Sequence, residues 1–149
     1  MTATSDTTLI TNLIARYAEL VDTGDFAGVG ELFADAVFIG GGAPVLGRDR
    51  GVENMLRDSV ILYEDGTPRT QHVTTNIAVD IHEEAGTAAA RSYVTVFQAL
   101  PDFPLQPVAA GRYSDRFERA DGHWRFTERR VRIHLVGDVS RHLRGQPTR

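Results

Sequence analysis

The run His72-Val73-Thr74-Thr75-Asn76-Ile77-Ala78-Val79-Asp80-Ile81 marks the point at which the chain changes its period. Val73, Thr75, Ile77, Val79 and Ile81 share one parity, and His72, Thr74, Asn76, Ala78 and Asp80 the other. That is the two-residue repeat of a β-strand. Upstream the spacing is helical. Leu9, Ile10, Leu13, Ile14, Tyr17 and Val21 recur at three- and four-residue intervals behind the capping residues Ser5 and Asp6. They predict a helix from about Asp6 to Asp22, ended by Thr23-Gly24. Asp25 can cap a shorter helix with Val29, Leu32 and Phe33 inward. Val37–Ile39 reads as a short strand, Gly40–Pro44 as a turn, and Arg48–Leu62 as a third helix burying Val52, Met55, Leu56 and Ile61. Downstream, Glu84-Ala85-Gly86 returns the chain into a strand over Ala88–Leu100. Three prolines between Pro101 and Pro107 mark a loop or sheet-edge crossover. Val108–Arg119 and His123–Val136 then form a hairpin about Ala120-Asp121-Gly122.

Three helices followed by four long strands define an α+β fold. A twisted antiparallel sheet curls. The expected architecture is therefore a cone-shaped α+β barrel, a strongly curved antiparallel sheet wrapped around a pocket closed by three N-terminal helices. A length of 149 residues suits one domain. We expect residues 1–149 to form it, with a core over about 8–142 and a flexible tail over 143–149.

Composition narrows the chemistry. The net charge of −4 argues against nucleic acid, which wants a concentrated basic surface. No window approaches the roughly 18 apolar residues of a membrane span. The absence of cysteine removes disulfides and thiol catalysis. With no secretory pattern over Met1–Asp6, a cytoplasmic location is expected. All 16 basic residues are arginine, so no lysine Schiff base can form. The five histidines show no metal-binding spacing, and no metal or cofactor is expected.

Two strands raise a question of faces. In the last, Trp124 and Phe126 share a parity with Glu128, Arg130, Arg132 and His134, whereas the later apolar residues are Val131, Ile133 and Leu135. Either a bulge flips the faces, or the far half of that face lines something polar. Likewise His72, Thr74 and Asn76 point into the cavity only if the apolar set faces outward. Asp22 ends the first helix at the pole where a carboxylate opposes the helix dipole, a hint of another task. Tyr17 lies five residues earlier, about 140° around the helix. It can share a cavity with Asp22 only if the helix end projects into it. Asp115 with Arg129 or Arg130 reads as an ion pair between adjacent strands, worth little if exposed.

The segment Ile14–Asp25 followed by Leu32-Phe33-Ala34-Asp35 resembles the start of SnoaL-like (polyketide cyclase-like) domains of the nuclear-transport-factor-2-like superfamily. So do Gln71–Asn76, Gly111–Asp115 and Asp121–Phe126; the resemblance runs from about Thr8 to His142. It implies a hydrophobic pocket and an Asp-His dyad like that of the family's dehydratases and dehydrochlorinases, including bile-acid and scytalone dehydratases. Asp22 and His72 match that dyad, Tyr17 the pocket tyrosine and Arg132 the pocket arginine. No carboxylate stands over Val37–Gly40, where the ketosteroid-isomerase base would fall. The expected catalytic set is thus Asp22, His72, Tyr17 and Arg132, with Asn76, Phe33, Trp124, Met55 and Phe97 binding substrate. The expected activity is cofactor-independent elimination on a hydrophobic polycyclic, steroid-like or polyketide molecule. The alternatives are a binding domain without catalysis and an isomerase or cyclase of the same superfamily. Tyr93, Phe97, Tyr113 and Phe117 are expected on an outer sheet face that forms a homodimer.

Overall fold

The computed structural model describes residues 2–145. Helix α1 spans Asp6–Asp22; Ser5 caps it by accepting a hydrogen bond from the Thr8 N–H at 3.2 Å. Helix α2 (Phe26–Leu32) is capped by Asp25, whose Oδ1 accepts from the Gly28 N–H at 2.9 Å. Strands β1 (Val37–Ile39) and β2 (Val45–Leu46) make a small hairpin. Helix α3 is confined to Gly51–Ser59, shorter than the expected Arg48–Leu62. Asp49 and Arg50 take left-handed backbone angles (φ 57° and 60°) that break its start, and Val60 is extended.

The long strands are β3 (Thr70–His82), β4 (Thr87–Leu100), β5 (Phe103–Ala120) and β6 (His123–Val136). The six-stranded order is β2-β1-β6-β5-β4-β3. All neighbours are antiparallel except β1 and β6, so the curved sheet is mixed. The proline segment is not a loop. Strand β5 begins at Phe103, and Pro107 pairs opposite Phe97 at a register shift, where a residue without an N–H costs no ladder bond.

Two bulges decide which side chains face the concave side. On β3, Thr75 pairs with Tyr93 and Ala78 with Arg91, so Asn76 and Ile77 together oppose Ser92. Asn76 adopts φ 54° there. His72 therefore faces inward before the bulge, while Val79 and Ile81 pack on the core after it. On β6, Glu128 pairs with Arg116 and Phe126 with Phe117, which leaves Thr127 extra. The inward set becomes Trp124, Phe126, Arg129 and Val131. Of the two readings of this strand, the bulge is the one the register shows.

The core fills the space between the helices and the concave face. Phe33 stacks on Phe126 with ring centroids 4.7 Å apart, and Phe117 tilts against Phe126 at 4.6 Å. Tyr113 and Phe117, expected on the outer face, are buried here. Tyr93 and Leu105 remain exposed on the convex side. No helix among the described residues is long and apolar enough to cross a membrane.

The chain end is not a loose tail up to Gly145. Leu143 bridges Val60, the Ile61 N–H donates to the His142 carbonyl at 2.9 Å, and the Arg144 N–H donates to the Ser59 carbonyl at 2.8 Å. The Arg141 carbonyl accepts from the Tyr63 hydroxyl and from Gln98 Nε2. Residues 138–145 thus form a clasp over the open end of the cone. Of the expected flexible tail, 146–149 lie outside the described residues.

Candidate functional site

Helix α1 stops at Asp22 because Gly24 takes φ 77° and the Thr23 N–H closes back on the Glu19 carbonyl. The last turn thereby delivers the Asp22 carboxylate to the start of β3. Its Oδ1 accepts from Thr70 Oγ1 at 2.8 Å and lies 2.6 Å from His72 Nδ1; its Oδ2 accepts from the His72 backbone N–H at 2.8 Å. Because a carboxylate only accepts, this network assigns the proton to Nδ1 and leaves Nε2 with a free lone pair. The His72 side chain is 8% exposed and Asp22 17%. The imidazole is fixed by one partner on its ring and one on its backbone.

His72 stands in the wall of a cavity of about 450 Å³. Its other walls are mostly apolar: Val21, Phe38, Met55, Val94, Val131 and Val139 among them. Tyr17 lines it too, its ring perpendicular to His72 at 6.4 Å and to Tyr113 at 6.1 Å. Asp22 does not itself line the cavity; Tyr17 and Val21 do, and Asp22 serves the same site from behind, through the His72 ring.

Behind the two tyrosines lies Arg129, fully buried. Its Nε and Nη2 donate to Asp115 Oδ1 and Oδ2 at 2.7 and 2.9 Å, and its guanidinium carbon sits 3.7 Å from the Tyr113 ring centre and 4.4 Å from that of Tyr17. The expected pair between adjacent strands forms with Arg129, and it lies in the core rather than exposed. Burial works against the charge on Arg129, but the Asp115 carboxylate more than offsets it, and the pKa lies above the usual range. Burial likewise pushes the Tyr17 phenol up, with Arg129 pulling the other way. Tyr113 is raised by burial and then by Tyr17. Both phenols therefore stay protonated donors at neutral pH.

The structure brings together Asp22, His72, Tyr17 and Met55 of the expected residues. It does not bring Arg132, which the Thr127 bulge turns to the outer face beside Arg112 and His134. Asn76 is exposed at the β3 bulge. Phe33 is core beneath Tyr17, at 5.7 Å, and does not line the cavity. Trp124 lies at the far end, its Nε1–H donating to Asp6 Oδ1 at 2.9 Å. Phe97 faces an outer depression with Gln71 and Leu105. Among the described residues no group of three potential ligands could hold a metal.

Sequence reasoning missed His142. The clasp presses it against the cavity, 7% exposed, with its ring 6.4 Å from that of His72. Burial first and His72 second lower its pKa from 6.5 to about 4, opposed by Asp22. The unfolded chain takes this proton near pH 6.5 and the folded chain only near 4. The stabilisation from His142 is thus complete above about pH 6.5 and is lost as pH falls towards 4, about 3 kcal/mol in all. In urea titrations at pH 7 and pH 4.5, His142→Phe should lose clearly less stability on acidification than the parent. Equal losses would refute this assignment.

The chain belongs to the SnoaL-like domain family, whose model matches residues 2–130. Its curved α+β fold is shared with solved structures, one of them described as nuclear-transport-factor-2-like. A protein of unknown function from Mycobacterium tuberculosis is 26% identical with a TM-score of 0.70, over 88% of this chain and 73% of that one. A nuclear-transport-factor-2-like protein with a cystatin-like fold from Novosphingobium aromaticivorans is 23% identical with a TM-score of 0.71, over 91% and 85%. From the same organism, a provisionally assigned scytalone dehydratase is 23% identical with a TM-score of 0.69, over 89% and 87%. No curated protein matches.

Proposed function

We propose that the protein is a cofactor-independent lyase that eliminates water from a hydrophobic β-hydroxy ketone, with His72 as the base. The observation that carries this reading is the 2.6 Å contact of Asp22 with His72 Nδ1 at the wall of an apolar cavity. Nε2 takes the proton on the carbon next to the carbonyl, and the C–H electron pair becomes an enolate. That pair then forms the carbon–carbon double bond as the β C–O bond breaks. The leaving hydroxide collects the proton from the His72 imidazolium and departs as water. Asp22 stabilises the imidazolium in between. The Tyr17 phenol donates to the enolate oxygen, a contribution of about 3 kcal/mol for a preorganised donor. Similarity to a provisionally assigned scytalone dehydratase is in keeping with this chemistry.

The test is enone absorbance from a panel of polycyclic β-hydroxy ketones with the parent and His72→Ala. Turnover by the parent that His72→Ala reduces to background supports the lyase. Equal rates in both, or none in either, leave only a binding domain. Exposed Tyr93, Leu105 and Leu135 on the sheet support a homodimer in addition. A monomeric mass by light scattering would remove that part.

A further inference from the structure

We infer that His142 is a polar contact of the cavity beside His72 and Tyr17, an imidazole that hydrogen-bonds an oxygen of the bound molecule, so that the ligand is an oxygenated rather than a plain hydrocarbon skeleton. Three observations carry this. First, His142 lines the cavity, on the opposite element from His72: one ring sits on β3 and the other on the clasp. Second, only the Nδ1 side of its ring is sealed from the cavity; Nε2 keeps open surface and has no hydrogen-bond partner among the described residues, so it is the nitrogen an incoming oxygen can reach. Third, the backbone that carries the ring is pinned at the cavity mouth. The His142 carbonyl accepts from the Ile61 N–H, and its backbone N–H donates to the Val139 carbonyl at 3.0 Å.

The charge state suits the role. At neutral pH the imidazole is uncharged, so it carries one donor and one acceptor nitrogen and can serve either a carbonyl or a hydroxyl. Apart from Tyr17, Tyr113 and Ser59 the remaining wall is apolar, and such a cavity orients its occupant by few polar points. With His72 acting on one part of the molecule, His142 selects which end lies where. The inference rests on this cavity being the ligand site, as proposed above, and not on the elimination step.

The probes are 1-tetralone and its hydrocarbon, tetralin, with affinities measured by calorimetry on the parent, His142→Phe and, as a control at an exposed histidine outside the cavity, His123→Phe. The expected result is a preference for the ketone in the parent that falls about tenfold in His142→Phe, the worth of one hydrogen bond. The same preference should persist in His123→Phe. No ketone preference in the parent, no fall in His142→Phe, or an equal fall in His123→Phe each overturns the inference. If His142→Phe does not fold, the ring-nitrogen resonances of His142 in the parent decide. They should shift on adding tetralone and not tetralin; no shift with tetralone overturns it. Failure of the elimination assay with the ketone preference intact would sink the lyase reading alone.

Discussion

Arg129→Met is expected to lower the unfolding free energy by about 3–5 kcal/mol, the cost of leaving a buried charge without its partner. Both side chains of the Arg129–Asp115 pair are fully buried, and among the described residues the two hydrogen bonds between them are the only ones Asp115 accepts from a cation. Methionine fills most of the volume between Tyr17, Tyr113 and Phe126 but strands the carboxylate. Against a typical stability of about 5–15 kcal/mol, such a loss takes the domain near its threshold. The double variant Asp115→Leu with Arg129→Met removes both charges and should recover much of it, because the paired charges earn little once their desolvation is counted. Urea midpoints with unchanged m-values measure both effects. A single variant within about 1 kcal/mol of the parent would mean that water reaches Asp115.

Asp22→Asn should reduce elimination by about a thousandfold or more while leaving the fold intact, a scale known for the same exchange in other histidine–aspartate pairs. The reason is tautomeric. An asparagine has one acceptor oxygen, and the His72 backbone N–H at the Oδ2 position claims it. The amide NH2 then faces His72 Nδ1, which must become an acceptor and move its proton to Nε2. The nitrogen facing the ligand is now a donor and cannot take a proton. If the amide turns the other way, two N–H groups meet at the His72 backbone, and stability falls as well. Rates that match the parent would show that Nε2 is not the base. Binding of 1-tetralone should be unaffected in either case, which separates loss of chemistry from loss of the site.

The fold was legible because it rests on local patterns, and part of the candidate site because those patterns carry a family resemblance. The helical spacing from Leu9 to Val21, the capping pair Ser5 and Asp25, and the alternation after Pro68 each depend on neighbours in sequence. The family resemblance placed Asp22, His72 and Tyr17. What the chain hides are the irregularities. Neither Asn76 nor Thr127 announces a bulge, since an extra residue is defined by its partner strand and not by its own surroundings. The second was one of two readings left open, and the resemblance pointed to Arg132 where the register turns Arg129 inward. The prolines from Pro101 to Pro107 looked like breakers, but a strand with register shifts beside it tolerates them. His142 carried no local signal at all, because its role comes from Leu143 meeting Val60 across the cavity mouth.

The β6 bulge has a wider meaning. The 14 residues of that strand contain the makings of two different linings. Threaded without the extra Thr127, they would turn Glu128, Arg130 and Arg132 inward and Arg129 out. The interior polarity of this cone is therefore a matter of phase more than of composition. A one-residue slip in β6 rewrites it wholesale, whereas most single substitutions there would retouch one point.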